Sequence, residues 1–256
     1  MLTLPRTAAA LLIAVLLVGC AANNKKDPLE PLNRGIYQFN DTVDKAVIKP
    51  LATVYKDALP QPVRTGVSNF FGNLNDVLNS LNNLLQGKVG AAVSDGGRVL
   101  INTSFGMLGL IDVATQAGMP KHGEDFGQTL GRWGVNSGPY LVLPILGPSS
   151  LRDAVGTYTD SLADPINLNT DNIPVRNRTV ALKMVNRRAE LLGLSKVIDE
   201  GALDPYAFVR DGYLQKRRSQ VYDGDPPPEP EEDEDADEPD ADQDDDEQPA
   251  SQTAPQ

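Results

Sequence analysis

Residues 133–151 carry no charged side chain, and three prolines, Pro139, Pro144 and Pro148, divide the stretch. A proline inside a helix removes a backbone donor and collides with the carbonyl four residues earlier, so no single helix runs through it. Residues 99–120 are similar: one charge, Asp112, and glycines at 106, 109 and 118. Neither stretch makes a membrane-spanning helix. Irregular backbone at membrane depth is tolerated only where protein buries it or a watery cavity lies beside it. Two readings therefore fit both segments: the core of a soluble domain, or a protein sunk into one leaflet around a polar passage.

The remainder of the chain reads as helices. Leu32, Ile36, Phe39, Val43 and Val47, spaced by three or four, mark an amphipathic helix that should end near Pro50. A short helix over 51–59 follows, then a long one stopped by Gly87. On the latter, Phe70, Phe71, Leu74, Val77, Leu78, Leu81, Leu84 and Leu85 fall within an arc of ~140° at ~100° per residue. Asn73, Asn75, Asp76, Asn79, Ser80, Asn82 and Asn83 fill the other side, neutral except for Asp76. A solvent-exposed helix usually carries Lys and Glu there. Such a face suits a polar lining or a neighbour's backbone; a core helix with an Asn-rich exterior fits as well. Ser150 with Asp153 caps a helix beginning at Leu151, and two long helices follow at about 175–193 and 205–222, the second opened by Asp204 and Pro205. No convincing run of alternating strand residues is found. The fold class is all-α.

The N-terminus sets the compartment. Residues 1–19 hold one cation, Arg6, and an apolar run too short to span a bilayer, which reads as a secretory signal peptide. Leu17-Val18-Gly19-Cys20 resembles a bacterial lipobox, and Cys20 is the only cysteine. A lone thiol in an exported chain needs an explanation. Acylation supplies one, with two or more chains giving a stable membrane anchor. Ala21 rather than Asp favours sorting to the outer membrane. The net charge of −12 belongs to the other end: sixteen of the 35 acidic residues lie in 223–256, which has no Lys or Arg and should be a disordered acidic tail. Residues 20–222 hold 22 basic against 19 acidic residues, enough chain for one mildly basic domain. Arg187, Arg188, Lys216, Arg217 and Arg218 either hold the last helices near anionic lipid or a partner, or form a solvated face.

Catalytic patterns are missing. His122 is the only histidine, and with Glu124 and Asp125 it makes a weak metal signal against a loop-and-cap reading. No serine lies in a Gly-x-Ser-x-Gly elbow, and no Gly-rich loop matches a nucleotide fingerprint. An enzyme is not expected, nor a cofactor, a metal or a nucleic-acid partner.

Four ordered blocks do carry a resemblance. They are "DPLEPLNRGIYQFN" from Asp27, "GRVLINTSFGMLGLIDVA" from Gly97, "EDFGQTLGRWGVNSGPYLVLPILGPSSLRDAVG" from Glu124 and "DPYAFVRDGYLQKR" from Asp204. Together they span about 27–220 and resemble the MlaA/VacJ family of outer-membrane phospholipid-transport lipoproteins. Val99, where family members often carry an aromatic, and the acidic tail depart from the pattern. The resemblance implies a ring of amphipathic helices around a polar channel, embedded in one leaflet. It further implies removal of mislocalised phospholipid from the outer leaflet, beside trimeric porins, with transfer to a soluble periplasmic carrier. An adaptor lipoprotein that holds porins is the alternative. The neighbourhoods of Phe39 and Asn40, Asn102 and Thr103, and Leu143, Pro144, Leu146, Gly147 and Ser149 are where lipid handling is expected.

Overall fold

The structure, a computed structural model, describes residues 27–168 and 170–228. Cys20, the expected signal peptide and all but the first six residues of the expected tail lie outside them. The chain divides into two units, Met1–Pro226 and Pro227–Gln256, and the fold is that of the first.

Helix α1, Glu30–Val43, does not stop near Pro50. It runs through a π-helical turn, Asp44–Ile48, into α2, Lys49–Ala58. The wide turn sends the Lys49 N–H to the Asp44 carbonyl. It also displaces the carbonyls that the Pro50 ring would otherwise strike, so the proline is absorbed rather than terminating. Helix α3, Gln61–Leu85, begins with Pro62 in its first turn and ends before Gly87, which takes a positive φ of 78°. Helix α4, Val89–Phe105, packs along α3. Two short helices follow. Asp112 caps α5, Val113–Gln116, and Asp125 caps α6, Phe126–Arg132, each carboxylate accepting from an N–H in the first turn.

The proline-broken segment is a β-hairpin, which corrects the expectation of no strands within an otherwise helical fold. Strand β1, Tyr140–Leu143, pairs antiparallel with β2, Gly147–Ser150, placing Tyr140 opposite Ser150 and Leu143 opposite Gly147. Every residue of β1 is apolar or aromatic, so its alternation of burial is invisible in the sequence. Ser150 then caps α7, Leu151–Ala163, by accepting from the Asp153 N–H. After α8, Pro165–Leu168, come α9, Ile173–Gly201, and α10, Pro205–Val221, the latter capped by Asp204. Helix α9 packs on α2 and α3, and α10 on α6 and β2. A small aromatic core of Tyr140, Val142 and Tyr206, with Ile36, Tyr37, Tyr213 and Leu214 around it, joins the hairpin to α1 and α10.

Burial elsewhere is inverted. On α3, Asn73, Asp76, Asn79, Asn82 and Asn83 are buried, whereas Val77, Leu81, Leu84 and Leu85 face outward. The Asn-rich side is therefore the inner one. Only Phe71 and Leu78 of the apolar set are buried. Helix α4 and the loop after it continue the outer apolar surface with Val93, Leu100, Phe105, Met107 and Leu108, the last three 65–77% exposed. No helix among the described residues is long and apolar enough to cross a membrane.

Candidate functional site

The helices and the hairpin border an open cavity of about 1000 Å³. Its walls come from α1 (Tyr37, Asn40), the π turn (Asp44), α3 (Asn69, Gly72, Asn75), the hairpin (Ile145, Leu146, Gly147) and α9 (Met184, Asn186, Arg188), with Lys121 entering from the loop before α6. Both apolar and polar groups line it, and most of its charges are matched. The Arg188 guanidinium forks onto the Asp44 carboxylate at 2.6 and 2.7 Å, and Lys45 lies 2.8 Å from Asp41. Tyr55 donates to Asn186 at 2.8 Å, and Asn186 donates to Ser68 at 2.9 Å. The expectation that Arg188 faces outward is thus corrected: it ties α9 to the π turn across the cavity wall.

The hairpin tip forms one rim. Asn40 donates to the Leu143 carbonyl at 2.9 Å, and its Oδ1 accepts from the Ile145 N–H at 2.7 Å. That pair of bonds holds Ile145 at a φ of 67°, a conformation a β-branched residue rarely adopts. Ile145 and Leu146 project, more than half exposed, at the mouth.

Behind the α3 wall lies a seam of polar groups. Arg98, fully buried, donates to Asp76 at 3.1 Å and to both Asp112 oxygens at 3.0 and 3.1 Å, and also to Thr115 and the Met119 carbonyl. Asn102 donates to Asp112 at 3.1 Å and accepts from the Ala114 N–H at 2.9 Å. Burial acts to raise the Asp112 carboxyl, but hydrogen bonds from Thr115, Asn102 and Arg98 outweigh it and hold it at about 2. Asp76 goes the other way: burial pushes it up, and Lys121 and Arg98 offset this only in part. Asn83 donates to Asp95 at 2.8 Å, and the same carboxylate contacts His122 at 2.8 Å. Among the described residues no cluster of His, Cys, Asp and Glu could hold a metal ion.

A third cluster clamps α10. Arg217 reaches Asp125 at 2.5 and 2.6 Å and Asp153 at 3.0 Å, while the Tyr213 hydroxyl donates to Asp153 at 2.7 Å. Burial acts against both carboxylates, yet Arg217 holds both below the ordinary range. Arg217 is therefore an internal strut, not a surface cation. Tyr206 and Asn33 both bond Asp27, tying the start of α1 to α10.

The residues singled out in the sequence scatter over this architecture. Asn40, Leu146 and Gly147 line the cavity. Leu143 and Pro144 belong to the same hairpin; the Leu143 carbonyl is held by Asn40, and Pro144 is exposed. Phe39 is 52% exposed on α1. Asn102 is buried in the Arg98 seam, the Thr103 hydroxyl accepts from Asn73 at 3.0 Å, and Ser149 is buried in β2. Reading the sequence missed Tyr37, Gly72, Lys121 and Met184 as lining residues. Only the glycine in mid-helix at 72 signals a close approach.

A helical body with polar groups turned in and apolar side chains turned out around an open cavity defines a protein built for an amphiphilic cargo or an apolar surrounding. The MlaA lipoprotein family matches residues 25–220. A relative from Shigella flexneri, an "Intermembrane phospholipid transport system lipoprotein MlaA", is 38% identical over 82% of this chain and 86% of its own. One of the same description from Escherichia coli (strain K12) shows the same identity and coverage. A solved structure, described as the "Structural basis for maintenance of bacterial outer membrane lipid asymmetry", is 33% identical. It superposes with a TM-score of 0.68 over 77% of this chain and all of its own. The chain belongs to the MlaA lipoprotein family.

Proposed function

We propose that this protein removes mislocalised phospholipid from the outer leaflet of the outer membrane through its central cavity, keeping that membrane's lipids asymmetric. The observation that carries the reading is the inverted burial: a mixed polar and apolar cavity inside a body whose α3 and α4 surfaces are apolar. Moving an unpaired polar group into an apolar medium costs several kcal/mol. Asn, Tyr and backbone groups along the cavity replace the headgroup's water. Cavity cations paired with carboxylates attract phosphate without trapping it. In this reading the exposed apolar surface of α4 and the loop after it rests in acyl chains, and the body lies in one leaflet.

In this reading Cys20 anchors the protein on the periplasmic side. Lipid passes on to a soluble periplasmic carrier, and trimeric porins are the neighbours. With no nucleotide fingerprint in the sequence, direction comes from removal downstream. Asn40, Leu146 and Gly147 meet the lipid. Leu143, Pro144 and Ser149 hold the hairpin, Asn102 and Thr103 hold the wall behind it, and Phe39 sits on the outer side of α1.

Headgroup-specific labelling of intact cells tests the reading. Outer-leaflet phospholipid should rise on deletion of the gene and fall when it is restored. The Leu146→Asp protein, anchored and expressed at normal level, should fail to restore it. A flat signal in the deletion strain would refute the transport role.

A further inference from the structure

The cations along the cavity are engaged by neighbours. Lys45 meets Asp41, Arg188 meets Asp44, Arg187 lies 3.3 Å from Glu190 and Lys183 lies 3.4 Å from Asp164; Lys49 is likewise engaged. Lys121 differs. Its nearest carboxylate oxygen, on Asp76, is 4.0 Å from Nζ, beyond a hydrogen bond. That carboxylate already accepts from Arg98 through Oδ2 and from Asn79 through Oδ1. Among the described residues the Lys121 ammonium therefore makes a long ion pair with Asp76 and no hydrogen bond, and its side chain is 47% exposed and lines the cavity.

Its position is built. Glycine is unfavourable inside a helix, yet Gly72 lies midway along the 25 residues of α3. A Cβ at Gly72 would stand 2.5 Å from the Lys121 Nζ. The missing side chain is what lets the ammonium lie against the helix. Asn75, one turn on, lines the same wall, and Ile145, Leu146, Val180 and Met184 supply apolar lining. A lysine ammonium is a compact point charge with three donors, well matched to phosphate. Apolar walls beside it suit acyl chains.

We infer that Lys121, seated over Gly72, is the cavity's binding site for a phosphate ester, that of a phospholipid headgroup. The inference rests on the transport reading above and adds the anionic subsite to it. Its chemistry is shared with a chain-free phosphodiester, and the probes separate the two sources.

Binding to the full-length, detergent-purified protein is measured by calorimetry with dihexanoyl phosphatidylethanolamine, with glycerophosphoethanolamine and with dihexanoylglycerol. Lys121→Met should weaken the phospholipid at least about tenfold, as loss of a charge-assisted bond does, and leave dihexanoylglycerol unchanged. Gly72→Ala keeps the charge but drives the amine from the helix, and should weaken the phospholipid as well. Unaltered circular dichroism shows that both variants fold. Wild-type affinity in either folded variant overturns the site. Glycerophosphoethanolamine binding the wild type as tightly as the phospholipid overturns the lipid assignment. Wild-type protein that binds no phospholipid at all sinks the transport reading itself, whereas unchanged binding in Lys121→Met removes only this subsite.

Discussion

Asn33 and Asn40 stand seven residues apart on α1 and hold the hairpin at points three residues apart, Asn33 on β1 and Asn40 at the tip. Asn33 donates to the Tyr140 carbonyl and accepts from the Val142 N–H; Asn40 does the same to the Leu143 carbonyl and the Ile145 N–H. Seven helical residues rise about 10.5 Å, and three strand residues advance about 10 Å. Two turns of helix thus match the spacing, and the Asn33 amide stands in for a neighbouring strand while the Asn40 amide holds the loop. Asn40→Ala frees a carbonyl and an N–H at the cavity rim, which should cost about 1–3 kcal/mol. It should also speed amide exchange at Ile145. Asn40→Asp keeps the acceptor for Ile145 but sets a carboxylate oxygen against the Leu143 carbonyl, and should do no better than Ala. Thermal melts and hydrogen exchange check both. An Asp variant as stable as wild type would refute the two-bond clamp.

The inverted burial of α3 makes an ordinary expectation run backwards. Asn82 donates to the Leu78 carbonyl and to Asp160 and accepts from Thr129, all inside. Asn82→Leu takes one partner each from a partly buried carboxylate and a buried hydroxyl, and should destabilise by about 1–3 kcal/mol. Leu84→Ser, at a position 56% exposed, should stay within about 0.5 kcal/mol. Urea unfolding in detergent measures both; the opposite ranking would mean that α3 is turned the other way.

That inversion marks how far sequence can be read here. The amphipathic arc of α3 was legible, but a pattern gives the axis of a moment and not which side is inner when the surrounding solvent is unknown. Helix starts at Ser150 and Asp204 followed from local capping chemistry and agree with the structure. The hairpin did not, because an all-apolar β1 shows no alternation and the loop conformation at Ile145 depends on Asn40, more than a hundred residues away. Pro50 misled for a related reason: a π turn reroutes hydrogen bonds that a proline rule assumes fixed. Arg188 and Arg217 looked like surface charge because their partners, Asp44, Asp125 and Asp153, are distant in the chain. Lys121 carries no sequence signal of its own, because Gly72, against which it lies, is distant in the chain.

Acid should loosen the Arg98 seam. Asp112 is lowered from 3.8 to about 2 in the fold. A depressed carboxyl contributes stability that is present above its unfolded value and lost as pH falls through the folded one. The window is therefore about pH 4 down to about pH 2, and the shift corresponds to about 2 kcal/mol. Asp112→Asn should be less stable at pH 7 and show a shallower loss across that window, with the two curves converging near pH 2. Parallel curves would show that Asp112 does not carry the acid sensitivity.

Glycines at two helix positions should respond oppositely to the same substitution. On α7, Gly156 faces Gly127 of α6 so closely that an added Cβ would strike the Gly127 backbone nitrogen and Cα. Backbone atoms cannot swing aside as a side chain can, so Gly156→Ala must separate α6 from α7. That strains the Arg217 link to Asp125 and Asp153, since those two carboxylates stand on either side of the crossing. A loss of at least about 2 kcal/mol should follow, in the range of overpacking. Gly193 on α9 has nothing within 4 Å of its added Cβ. There alanine only improves helix propensity, and Gly193→Ala should gain up to about 1 kcal/mol. Thermal unfolding of the two single variants beside wild type separates the cases. Equal effects would mean that α6 and α7 do not meet backbone to backbone at Gly127 and Gly156.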